Sequence, residues 1–124
     1  MRIFKAKWFI KFAQKANIKD ADLKAAAEAI DRGESSADDL GGHVFKLRFA
    51  RPGEGKRGGY RFILFFRKGE RLFFDYAYPK SKLDDIEDDE LREFKKLAKK
   101  SLGLTEEQIE ARLKDGRLKE IKGK

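Results

Sequence analysis

The spacing of apolar residues changes partway along the chain, and the change divides it into helical and extended regions. In "WFIKFAQKAN" Trp8, Phe9, Phe12 and Ala16 recur at helical intervals. In "DADLKAAAEAI" Leu23, Ala26, Ala27 and Ile30 share one side of a second helix, with Asp20 as its expected N-cap and Gly33 as its end. The alanine-rich stripe suits close packing on a sheet. Ahead of both helices, residues 2–7 carry Ile3 and Phe4 among basic residues, which predicts a short strand. After the loop-forming "GESSADDLGG" the period drops to two. Phe45, Leu47 and Phe49 alternate with Lys46 and Arg48, which predicts a half-buried strand over 43–50 whose other face is basic.

"RPGEGKRGG" is a Gly-rich connection, and the "YRFILFFR" that follows is apolar on both sides through its middle, as a central strand with partners on both edges must be. A strand over 71–78 returns through "KGE". With Gly69 and Glu70 at the centre of a type II′ turn, residue 67 lies opposite 72 and Arg61 opposite Tyr78. A three-residue turn would put Ala77 there instead. Pro79 ends the sheet. "DDIEDDELREFKKLAKK" runs from acidic to basic, the order that complements a helix dipole, so its acids read as a helix start and not as a metal site. Thr105 and Gln108 make a capping box for "EEQIEARLKD", which Gly116 ends, and residues 117–124 form a short strand or a frayed tail. Nothing resembles a repeat or a linker. The expected architecture is one α+β domain over 1–124, with two N-terminal helices on one face of a small twisted antiparallel sheet and C-terminal helices after it.

Composition narrows the chemistry. A chain of 124 residues can bury roughly two thirds of its unfolded surface and fold alone. It has no cysteine and a single histidine, His43. That excludes disulfides, thiolate metal sites, a zinc site of the usual His and Cys type and a Cys/His pair, leaving Arg, Lys, Tyr, Ser and carboxylates to do any chemistry. No cofactor is expected. No apolar run approaches the roughly 20 residues of a membrane span. "MRIFKAKWFIKF" is interrupted by Lys5, Lys7 and Lys11, unlike a secretory signal core, so a cytoplasmic protein without a membrane partner is expected.

The net charge of +8 is unevenly placed. Between residues 44 and 82 eleven Lys or Arg face three acids, a surplus equal to the charge of the whole chain, while the other 85 residues carry 19 of each sign. A basic excess confined to one third of the chain points to a polyanionic partner. Alternation puts Lys46 and Arg48 on one sheet face, and Arg61 joins them if strands 43–50 and 60–67 pair. Cations crowded there repel one another, and a bound phosphate would relieve them. Gly55, Gly58 and Gly59 let the connecting loop bring its backbone close, with Lys56 and Arg57 adding charge at the tip.

The stretch "KLRFARPGEGKRGGYRFILFFRKGERLFFDYAYPKSK", set behind a short strand and two helices, resembles the RelE/HigB-like toxins of bacterial type II toxin–antitoxin systems, over essentially the whole chain. The closest likeness is to a subgroup with an N-terminal "FKxKWF", a central "ARPGxGKxGGxR" and a strand ending "Y-x-[FY]-x-K". The resemblance implies a RelE-like fold and an endoribonuclease that cleaves mRNA, in many relatives on the ribosome, with a small helix-turn-helix type antitoxin protein as its partner. It also implies roles: Arg61 on the scissile phosphate, Lys46 and Arg48 as paired basic residues on the preceding strand, and Tyr78 and Lys80 near the strand end. Arg51, Lys56, Arg57 and Lys82 would add RNA contacts. Tyr78, or Tyr76 as second choice, could stack on a splayed base. Where better-studied relatives often carry an arginine and then a tyrosine beyond that strand, "KSKLDDI" has neither. His43 is a candidate catalytic base, but its place directly after Gly41 and Gly42 at a strand start is equally that of an ordinary exposed residue, and relatives do not depend on a histidine there. The alternatives are a non-catalytic RNA-binding module and the ParE-like branch, which acts on DNA gyrase.

Overall fold

The computed structural model describes residues 1–50, 59–79 and 86–122. Its elements run β1 (Arg2–Ala6), α1 (Lys7–Lys15), α2 (Asp20–Asp31), β2 (Asp38–Asp39), β3 (Val44–Phe49), β4 (Tyr60–Arg67), β5 (Arg71–Pro79), α3 (Asp88–Leu102), α4 (Glu106–Lys114) and β6 (Leu118–Ile121). The fold is α+β, with an open sheet in the order β2-β3-β4-β5-β1-β6. Every neighbouring pair is antiparallel except β1 and β5, which run parallel. β4 is flanked on both edges, as its two-sided apolar sequence demands. The C-terminal stretch settles as strand β6, paired with β1 from Ile3↔Ile121 to Ala6↔Leu118.

Alternation along the strands builds two cores. Phe62, Leu64, Phe66, Leu72 and Phe74 pack against Phe9 and Ala13 of α1 and Leu23, Ala27 and Ile30 of α2. Phe4, Val44, Ile63, Phe65 and Phe73 point the other way, toward Ala98 and Leu102 of α3 and Ile109 of α4. The N-terminal helices therefore cover one face and the C-terminal helices the other. α3 carries a capping box between Glu87 and Glu90, and α4 the expected one between Thr105 and Gln108.

Two local expectations are corrected. Asp20 lies inside the first turn of α2, whose N-cap is Lys19 with no side-chain cap bond. Its Oδ1 instead accepts a 2.6 Å bond from Lys5 Nζ, and Lys5 is only 6% exposed. A buried ammonium needs an anion at hand, and that requirement outweighs a cap. The second correction concerns the hairpin. β4 and β5 are joined by three residues, 68–70, with Gly69 at φ 74 and Arg67 opposite Arg71. That register holds to Leu64↔Phe74, where an irregularity makes Asp75 an extra residue on β5. Beyond it Ile63 faces Tyr76 and Arg61 faces Tyr78. The expected pairing of Arg61 is thus reached, but through a longer turn and a compensating bulge.

Candidate functional site

The residues of interest form two rows across three strands. Arg48 of β3, Arg61 of β4 and Tyr78 of β5 are in register in one row, and Lys46, Ile63 and Tyr76 occupy the next. Neighbouring strands lie about 4.8 Å apart, so each row spans roughly 10 Å. Alternation places both rows on the face that carries α3, since Ile63 and Tyr78 belong to the core beneath that helix. α3 shields one end of this face, where the ring of Phe94 lies 6.0 Å from that of Tyr76.

Arg48 and Arg61 are directly opposed, and neither makes a hydrogen bond or ion pair among the described residues. Like charges across a strand pair repel. The two guanidiniums can converge on a single phosphate, each with two parallel N–H donors, which would turn the repulsion into a binding site. Arg48 is exposed and Arg61 half-buried at the start of a strand whose next five residues are buried, so Arg61 is anchored on a rigid element. Lys46 is a step further in, its Nζ 3.9 Å from Asp38 of β2. Tyr78 is only 5% exposed and forms a wall of the site, so a base cannot stack on it as it stands. Tyr76 is held between Trp8, at 4.4 Å, and Phe94.

His43 sits elsewhere. It follows Gly41 and Gly42 in the tight turn before β3, with φ 67, and its Nδ1 lies 3.2 Å from the Phe66 carbonyl, at the far end of β4 from Arg61. This is a turn position, in agreement with the ordinary exposed role expected for it. Arg51, Lys56, Arg57, Lys80 and Lys82 lie outside the described residues.

Sequence reasoning missed two participants. Asp75, the bulge residue, has no hydrogen-bond or ion-pair partner among the described residues, and burial pushes its carboxyl up to about 6. A lone acid between Phe74 and Tyr76 in an otherwise apolar strand was the available signal. Trp8, one of the helically spaced apolar residues of α1, is 47% exposed, and it reaches past Ala6, where β1 ends, to touch Tyr76 beside the outer edge of β5.

Among the described residues no helix is long and apolar enough to cross a membrane. Comparison with curated proteins finds no match. A family model, described as the RelE toxin of the RelE/RelB toxin–antitoxin system, matches residues 1–121. That match covers every described strand and helix, including the opposed arginines and the bulged hairpin that aligns them with Tyr78. The chain belongs to the RelE toxin family, and is a toxin of a toxin–antitoxin system.

Proposed function

We propose that this toxin is a metal-independent endoribonuclease that cleaves mRNA, in the cytoplasm and on the translating ribosome, and is neutralised by a small helix-turn-helix type antitoxin. The observation that carries the reading is the opposed pair Arg48 and Arg61, two cations without partners among the described residues, fixed on adjacent strands. RNA brings its own nucleophile in the 2′-OH. The protein then needs to align that oxygen with the scissile phosphorus, offset charge on the phosphorane and help protons move. Arg61 is assigned to the phosphate oxygens, since its planar fork can donate two bonds to one phosphate. Arg48 and Lys46 supply further positive charge beside it. Lys80 and Tyr78 are assigned to the strand end, with Tyr78 as a rigid wall. Arg51, Lys56, Arg57 and Lys82 are assigned to binding the rest of the strand.

Single-turnover cleavage on saturating ribosomes tests the assignment with wild type, Arg61→Ala and Arg61→Lys. Arg61→Ala is expected to lose roughly 10²-fold or more in rate while keeping the fold, because it removes donors aimed at developing charge. Arg61→Lys is expected to recover little, since lysine keeps the charge and loses the fork. Three equal rates would end the catalytic assignment. Binding of RNA without cleavage by the wild type would make the protein an RNA-binding module, and inhibition of DNA gyrase with intact mRNA would move it to the ParE-like branch.

A further inference from the structure

Where α1 meets the Tyr60 end of β4 lies an open groove of about 390 Å³, lined by Trp8, Lys11, Phe12, Lys15, Ala16 and Tyr60. Its floor is aromatic. Trp8 stacks on Phe12 with ring centroids 5.5 Å apart and planes 8° from parallel, and Phe12 meets Tyr60 edge-on at 5.0 Å. Its rim is cationic. Lys11 and Lys15 are exposed, lie about one helical turn apart and make no ion pair with the described residues, and the described lining contains no acid. An indole left 47% exposed in a chain this rich in phenylalanine forgoes the burial that a core position would give it.

A series of ring contacts links the groove to the arginine site. Tyr60 immediately precedes Arg61, but the two side chains lie on opposite faces of the sheet. The rings bridge that separation round the outer edge of β5, which has no described strand beside it after Phe74 because β1 ends at Ala6. From Tyr60 the ring contacts pass to Phe12, to Trp8, to Tyr76 at 4.4 Å and on to Tyr78 at 6.4 Å, opposite Arg61.

We propose that this groove is a stacking platform for single-stranded RNA, taking one or two nucleotides that flank the phosphate held at Arg61; it rests on the RNA reading of the sheet face. Aromatic rings with interleaved lysines and no acids suit unpaired bases and their phosphates, because any base can stack on a ring and each cation can neutralise one phosphate. A folded duplex hides its bases and would leave the floor unused.

Trp8 is the only tryptophan, so its emission reports on the groove directly. The probe is an uncleavable 2′-O-methyl hexaribonucleotide titrated into the wild-type chain. Saturable quenching of Trp8 is expected. Lys11→Glu with Lys15→Glu, both exposed changes, should weaken half-saturation about tenfold or more at fixed salt. Trp8→Ala should weaken it about fivefold or more, read by anisotropy of a labelled oligomer, and Trp8→Phe should restore most of the loss. Unchanged Trp8 emission while the labelled oligomer binds would overturn the proposal. So would equal quenching by an RNA hairpin, or a response only to the antitoxin protein. If Arg61→Ala cleaves as fast as wild type while Trp8 is still quenched, only the catalytic assignment falls. If Trp8 stays silent while Arg61→Ala is inactive, only the groove falls.

Discussion

Asp75 is a carboxylic acid that would be better off uncharged. Burial, without a hydrogen-bond or ion-pair partner among the described residues, raises its pKa from 3.8 to about 6. The folded state therefore holds a proton on Asp75 that the unfolded chain releases near 3.8, and the associated stability is fully present below that value. As pH rises through about 6 it is lost, and above that the half-buried carboxylate costs on the order of 2–3 kcal/mol. Asp75→Asn is expected to raise the melting temperature at pH 7.5 and leave it nearly unchanged at pH 4. Melting curves of both proteins at the two pH values check this, and an equal shift at both would mean that the gain comes from packing and not from titration. The same residue marks a boundary of what sequence can reveal. Its identity was plain in "FFDYAY", but its burial follows from neighbours on other elements. Asp20 was misjudged for a similar reason, since the amine that claims it is fifteen positions away on β1.

At the level of elements, the apolar periods placed α1, α2, β3, β4 and β5 because those segments bury one face or two, and burial dictates spacing. β2 has no such signature. It is two exposed aspartates, Asp38 and Asp39, recognisable only by their pairing with Lys46 and Phe45. The parallel contact of β1 with β5 was equally hidden, since a short apolar strand does not declare its direction. The hairpin shows two local errors cancelling: a turn one residue longer than expected, and one extra residue in β5, leave Arg61 facing Tyr78. This implies that Asp75 can be deleted without disturbing the pairs on either side. The deletion variant is expected to fold, to keep Arg61 opposite Tyr78 and to melt no lower than wild type at pH 7.5. Removing Ala77 instead should turn Tyr78 toward the opposite face and cost several degrees. Hydrogen exchange of β4 and β5 amides in the two variants distinguishes these outcomes, and equal protection in both would show that the strand absorbs length changes anywhere.

Across the whole molecule, charge is distributed by function and not by fold. The surplus lies between residues 44 and 82, and the opposed arginines at its centre carry no local compensation among the described residues. Lys56 and Arg57 belong to the same surplus, on the connection between β3 and β4. Exposed cations that reach phosphate release counterions, so the double change Lys56→Ala and Arg57→Ala is expected to lower the slope of log affinity against log salt by about two on RNA. An unchanged slope would remove that connection from the binding surface.

The position of β1 sets the timing of assembly. Its residues are held on one side by β5 and on the other by β6, with Arg2 bound to Glu120 through two contacts of 2.9 and 3.0 Å. The first described strand in chain order is thus among the last to be enclosed: Ile3 waits for Ile121, and the backbone of β1 keeps an open edge until β6 is in place. When the strands carrying Arg61 and its neighbours have been made, one of the sheet's five described pairings, β1 with β6, is still missing. β1 thus completes its pairings only once β6 is in place, although the strands that carry Arg48, Arg61 and Tyr78 lie earlier in the chain.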